Sequence, residues 1–179
     1  MERKGRTFDV LGQLGSLRRY ARSLVRNPDE AEDLVHDALV KAYERKSTFR
    51  RGANLRSWLL SIVHNAHIDR LRKGRSMNRR HDEAAVEMET SLPAGQEHAV
   101  RLSQVRSAFF SLPEEQREAL HLVAIEDLSY QEAASTLGIP IGTLMSRISR
   151  ARAHLRDFED KAPGASHLRL IGGNGHDNN

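Results

Sequence analysis

Cysteine is absent from this 179-residue chain. That excludes disulfide frameworks, thiolate metal sites, iron–sulfur clusters and cysteine nucleophiles together. Aromatic residues make up only 5%, so rings for stacking on bases are few. No stretch approaches the roughly 18 apolar residues of a membrane span. The opening Met1-Glu2-Arg3-Lys4-Gly5-Arg6 carries no apolar run of the kind a secretory signal needs. Glycine-rich phosphate loops, paired metalloprotease histidines and nucleophile elbows are missing too. These absences lead us to expect a soluble, cytoplasmic protein that is not an enzyme, uses no cofactor and touches no membrane.

What is present is charge, unevenly spread. Charged residues make up 29% and hydrophobic residues 39%, with a mean hydropathy of -0.59. That composition is lean in apolar content but sufficient for packed domains. Residues 1–80 hold 19 Lys and Arg against 9 Asp and Glu, a balance of +10. Residues 81–104 stand at −4 and residues 105–160 at −3. A basic first part, an acidic middle and a mildly acidic third part read as separate modules. Nucleic acid is the partner this basic module implies, because each phosphate neutralised releases counterions.

The local signals are helical, and no alternating strand pattern of useful length occurs. Val10, Leu14, Leu17, Ala21, Leu24 and Val25 keep a helical period. Asn27-Pro28-Asp29-Glu30 reads as an N-cap, a first-turn proline and an acidic first turn. The helix after it places Ala31, Leu34, Val35, Ala38, Ala42 and Tyr43 on one face, beside an acidic edge of Asp33, Asp37 and Glu44. Asn54 is placed to cap a third helix with Leu55, Trp58, Leu59, Ile62 and Ala66 on its stripe. Periodicity fades from Gly74 to Gly95 and resumes with Ala99, Leu102, Val105, Ala108, Phe109 and Leu112. Pro113-Glu114-Glu115 opens a further helix, and Ser129-x-x-Glu132 is a capping box that starts a short one ending at Gly138. Thr143 begins a last helix running to about Phe158. The expectation is an all-α chain of two small helical domains joined by a flexible linker.

Two segments carry function. The short helix, the Gly138-Ile139-Pro140-Ile141-Gly142 turn and the helix from Thr143 have the layout of a helix-turn-helix. At 100° per residue, Leu144, Ile148, Ala151 and Leu155 form one stripe, and Ser146, Ser149 and Arg150 fall opposite. Hydroxyls beside one arginine suit a major groove, while Arg147, Arg152 and Arg156 at the flanks suit phosphates. In the first module, Asn65, Asp69, Arg72 and Lys73 share a face of the third helix. The loop Phe49-Arg50-Arg51-Gly52-Ala53 ahead of it adds charge and an aromatic edge, a combination that suits single strands.

Those residues resemble the extracytoplasmic-function (ECF) group of bacterial sigma factors. Asp29 to Ala38 is similar to the group's polymerase-binding segment. Asn54-Leu55-Arg56-Ser57-Trp58-Leu59 and Ile62-Val63-His64-Asn65, with Asp69 and Arg72, resemble its promoter-melting and minus-ten segment. Leu112 to Arg117, Ser129 to Ala134 and Gly142 to Arg147 with Arg150-Ala151-Arg152 resemble its minus-thirty-five reader. The wording of two of these motifs is also similar to the alphaproteobacterial general-stress branch. The chain departs from the group at Met145, where Lys or Arg is frequent.

The resemblance implies an N-terminal sigma domain over 8–78, a linker over 79–100, a C-terminal sigma domain over 101–160 and a disordered tail over 161–179. It implies polymerase contacts at Asp33, Leu34, Asp37 and Ala38. It implies minus-ten contacts at Arg50, Arg51, Asn54, Asn65, Asp69, Arg72 and Lys73. Minus-thirty-five contacts fall to Thr143, Met145, Ser146, Arg147, Ser149, Arg150 and Arg152. The implied partners are core RNA polymerase, promoter DNA and an anti-sigma factor, with the free chain a monomer.

Two other readings compete. One is a helix-turn-helix repressor or activator with a dimerising first module, against which the positive charge of that module counts. The other is a metal-dependent nuclease using His64, His67 and Asp69, whose spacing offers no third well-placed ligand.

Overall fold

The computed structural model describes residues 8–50, 52–77 and 96–161. Arg51, most of the expected linker and all of the expected tail but Lys161, which ends the last helix, lie outside them. Among the described residues the regular structure is helical. A 3-10 turn at Leu11–Gln13 leads into α1 (Leu14–Leu24), followed by α2 (Pro28–Glu44), α3 (Leu55–Met77), α4 (Gln96–Ser111), α5 (Glu114–Ala124), α6 (Tyr130–Leu137) and α7 (Ile141–Lys161).

Capping sets most of these boundaries. Asn27 accepts from the backbone N–H of Asp29 and Glu30, so α2 starts at Pro28, whose missing N–H costs nothing there. Ser129 and Glu132 complete the capping box of α6, and Gly138 ends that helix at φ +63°. The next helix starts at Ile141, two residues before the expected Thr143. Pro140 is the reason: its carbonyl accepts the first intrahelical bond, from Leu144. Similarly, α4 begins at Gln96, inside the segment expected to be linker.

Helices α1, α2 and α3 pack on one another, and α5, α6 and α7 do the same, with α4 laid on α7. The two groups are not apart. Helix α1 lies on α5 and α3 on α6, and one apolar cluster runs from Leu17, Leu34 and Leu60 through Leu122 and Ala133 to Leu144 and Ile148. Some residues expected in the core are exposed instead. Tyr43 is 78% exposed at the end of α2, and Leu102 and Val105 are exposed on α4. Helical periodicity shows which residues share a face, but α4 lies mainly on α7, and Leu102 and Val105 stand on the side of it that no described residue covers.

Candidate functional site

The reading helix is held from behind. Leu144, Ile148 and Ala151 are buried in the core, and Thr143, Met145, Ser146, Ser149, Arg150 and Arg152 all face solvent. Their rigid backing fixes where the exposed side chains point, which a groove-reading element needs. Arg147 departs from this row. Its side chain is mostly covered and pairs with Glu115 of α5 at 3.2 Å, so it approaches DNA only by giving up that carboxylate.

The acidic edge of α2 is partly neutralised by α3. Arg70 donates to Asp37 from Nη2 at 2.5 Å and from Nε at 3.1 Å, and Lys41 donates to Asp69 at 3.0 Å. The hydrogen bond from Lys41 and its charge, with Arg72 and Lys73 beyond, hold the Asp69 carboxyl below its usual range. Asp33 and Asp37 are exposed. Leu34 and Ala38, expected to touch the polymerase, are instead buried in the core. The i, i+4 spacing that puts them beside the acidic edge also turns them inward, so they support that edge from beneath.

Ahead of α3, Arg50 and Asn54 are exposed, and so are Asn65, Asp69, Arg72 and Lys73 along its middle and C-terminal half. Phe49 does not offer a free platform. Its ring packs 5.2 Å from Trp58 and 5.8 Å from Phe8, and Trp58 rests on the core. Gly52 turns the loop at φ +91°, a conformation that glycine adopts without strain. Asn54 caps α3 through the N–H of Ser57 and also donates across to Glu132 of α6 at 2.7 Å.

That last bond belongs to a polar seam between the two helix groups, which sequence reasoning missed. At its centre is Glu126, fully buried in the loop between α5 and α6. Its carboxylate accepts from the Ser16 hydroxyl and from Arg19 Nε and Nη2 at 3.0 Å each, with His121 Nε2 at 3.3 Å. Burial pushes this carboxyl up, but the bonds from His121, Arg19 and Ser16 outweigh it and bring it down to about 2. Arg56 donates to the Glu126 carbonyl at 3.2 Å, and Ser57 meets Thr136 at 3.0 Å.

Arg117, part of a motif expected to belong to the DNA-reading domain, is buried and donates to the carbonyl of Ser23 on α1 at 2.7 Å. Arg26 returns the contact, donating to the Phe110 carbonyl at 2.9 Å. The rival set of His64, His67 and Asp69 is not assembled: Asp69 faces α2, and His67 is buried against Glu114 of α5 at 2.6 Å.

Family comparison divides the chain along the same helix groups. Residues 13–77 match Sigma-70 region 2 and residues 102–155 match Sigma-70 region 4. The chain is 37% identical over 173 residues to the ECF RNA polymerase sigma factor EcfG of Rhodopseudomonas palustris, covering 93% of this chain and 95% of that protein. It is 35% identical to the ECF RNA polymerase sigma factor SigM of Mycobacterium tuberculosis over 78% of this chain and 69% of the relative. Among solved structures, the sigma factor RpoE in complex with the anti-sigma factor NepR from Bartonella quintana superposes with a TM-score of 0.72. That pair shares 34% identity over 86% of this chain and 95% of the other. CnrH in complex with the cytosolic domain of CnrY gives a TM-score of 0.61 at 27% identity, over 87% and 88% of the two chains.

Proposed function

This chain belongs to the ECF group of sigma-70 factors, and on that premise we propose how its residues divide the work of starting transcription. The protein binds core RNA polymerase and directs promoter recognition, melting and initiation for a stress regulon. In our reading the N-terminal domain over 8–78 docks through Asp33 and Asp37. Arg50, Arg51, Asn54, Asn65, Asp69, Arg72 and Lys73 then hold the minus-ten strand. The C-terminal domain over 101–160 reads the minus-thirty-five element with the outer face of α7, where Arg150 contacts a base edge and Arg147 and Arg152 contact phosphates. The cytoplasmic polymerase sets the place of action. The chain is a regulatory initiation factor rather than a catalyst.

The observation that carries this reading is the outward row Thr143, Met145, Ser146, Ser149, Arg150 and Arg152, backed by Leu144, Ile148 and Ala151 locked in the core. A second observation sets a condition on it. The two promoter elements lie about 25 base pairs apart, or about 85 Å at 3.4 Å per pair. Asn54 and Glu132, one from each domain, touch at 2.7 Å. We therefore assign the closed arrangement to the free protein and a separated arrangement to the promoter complex. An anti-sigma factor is the partner we propose for the free chain, by likeness to the NepR and CnrY complexes of the neighbours.

In vitro transcription from a genomic fragment library, with core polymerase present or withheld, tests the reading. Transcripts that need both components and share two spaced elements are expected. No transcript above core polymerase alone overturns it, and a stable free dimer that binds DNA without polymerase supports the repressor in its place.

A further inference from the structure

Four side chains with metal-ligand chemistry meet where α3 crosses α5. His64 and His67 stand one turn apart on α3, and Glu114 and Glu118 one turn apart on α5, so each pair lies on one helix face. The donor atoms of His67, Glu114 and Glu118 all lie within 4.8 Å of one another. His67 Nε2 is 2.6 Å from Glu114 Oε1, and His64 Nδ1 is 3.5 Å from Glu118 Oε1. The donors of a tetrahedral zinc site are separated by about 3.3 Å, given metal–ligand bonds near 2.0–2.1 Å. The His67, Glu114 and Glu118 donors stand near that spacing, and His64 joins them through its approach to Glu118.

Burial makes the cluster more than a surface coincidence. His67 and Glu118 are 3% and 4% exposed. Glu118 Oε1 is out of contact with solvent and has no hydrogen-bond partner. A buried carboxylate oxygen left in that state is costly, and a bound cation relieves the cost. The Tyr20 hydroxyl lies 3.5 Å from His64 Nδ1. Two carboxylates and two imidazoles give the mixed oxygen and nitrogen donor set that a divalent ion takes, with the Arg117 guanidinium also acting on both carboxylates. Imidazole with carboxylate suits zinc, nickel or cobalt rather than calcium or magnesium.

We propose that His64, His67, Glu114 and Glu118 form a divalent transition-metal site that bridges the two sigma domains. Two ligands come from the region 2 match and two from the region 4 match, so neither domain holds the metal alone. Metal binds the closed form and stabilises it, which links metal supply to how much protein is free to take up polymerase. The existence of the site does not rest on the proposed function, whereas its consequence for polymerase does.

The full chain, stripped with a chelator, is titrated with zinc alone by calorimetry and with cobalt alone by visible absorption. One equivalent per chain is expected, with the d–d bands of a four-coordinate cobalt ion and a raised thermal midpoint. His67→Gln and Glu118→Gln should each weaken binding at least tenfold while His36→Gln leaves it unchanged. Circular dichroism checks that the variants fold. Zinc affinity that survives both ligand substitutions, or no binding below about 0.1 mM, overturns the site. Transcription is then compared with and without zinc for wild type and His67→Gln. Zinc should lower initiation by wild type several-fold more than by the variant, and equal effects overturn the link to polymerase. Failure of wild type, stripped of metal and then freed of chelator, to support transcription with core polymerase removes the sigma reading and leaves the binding result standing.

Discussion

The side-chain amide of Asn54 donates to Glu132 at 2.7 Å, which joins the cap of α3 to the capping box of α6. The same Asn54 oxygen accepts from the Ser57 N–H, and Glu132 also binds back to Ser129. Each residue therefore starts its own helix and grips the other domain. This bond, followed by the Ser129 contacts, holds the Glu132 carboxyl below its ordinary value. A residue proposed to face the minus-ten strand is thus occupied in the closed form, and promoter binding must release it.

Glu126 is the most heavily engaged group in the seam, so its removal should open the protein. Glu126→Ala leaves Arg19, His121 and Ser16 without their shared acceptor. Arg19 is half-exposed and keeps its water, so the cost falls on the buried His121 and Ser16 groups, about 1–3 kcal/mol for each left unsatisfied. A lower thermal midpoint and a larger radius of gyration by small-angle scattering are expected. An unchanged radius at unchanged stability would show that the seam does not hold the domains together.

Acid should act through the same carboxylate. Its folded value of about 2 lies below the unfolded 4.5, so its stabilisation is complete above 4.5 and is lost as pH falls through 2. That difference corresponds to roughly 3 kcal/mol at 1.36 kcal/mol per unit. The stability gap between wild type and Glu126→Gln, measured by urea unfolding, should be constant above about pH 5 and shrink toward pH 2. A gap that widens on acidification contradicts the assignment.

Charge reversal separates docking from folding. Asp33→Lys with Asp37→Lys should weaken core polymerase binding in a competition assay. The Arg70 bond to Asp37 is largely exposed, so its loss should cost no more than about 1 kcal/mol of stability. Polymerase affinity equal to wild type refutes the docking role of the edge.

The two arginines of α7 should fail differently. Arg150→Ala should cost roughly 1–3 kcal/mol at one promoter position and relax specificity there. Arg147→Ala should weaken all sequences alike and lower the salt slope by about one. Because Glu115 holds Arg147, Glu115→Gln should tighten DNA binding without changing base preference. Binding to a panel of single-base variants at several salt concentrations separates these outcomes. Uniform weakening by Arg150→Ala with altered preference in Arg147→Ala would reverse the assignment.

What was legible in the sequence was local. Asn27 with Pro28, the Ser129–Glu132 box, Gly138 and the stripe Leu144, Ile148, Ala151 each depend on neighbours within one or two turns, and all appear as expected. The seam was not legible, because its pairs lie far apart in sequence: Ser16 and Arg19 with Glu126, Asn54 with Glu132, Arg117 with Ser23. A polar residue reads as surface until its partner is known. For that reason His67 shows no partner in the sequence, whereas the structure buries it against Glu114 of α5. Tyr43 and Leu102 failed in the opposite sense, as apolar residues for which the fold supplies no cover.

The apolar cluster that runs unbroken through both domains has a consequence for how the chain melts and how tightly it is captured. While closed, α1–α3 and α5–α7 share one core and should unfold in a single cooperative transition. Once separated they should give two. Any partner that takes the open form binds only the open fraction, so each 1.4 kcal/mol favouring closure lowers its apparent affinity tenfold. Affinity for polymerase is therefore tunable at Leu60, Leu122 or Ala133, residues buried in that shared core.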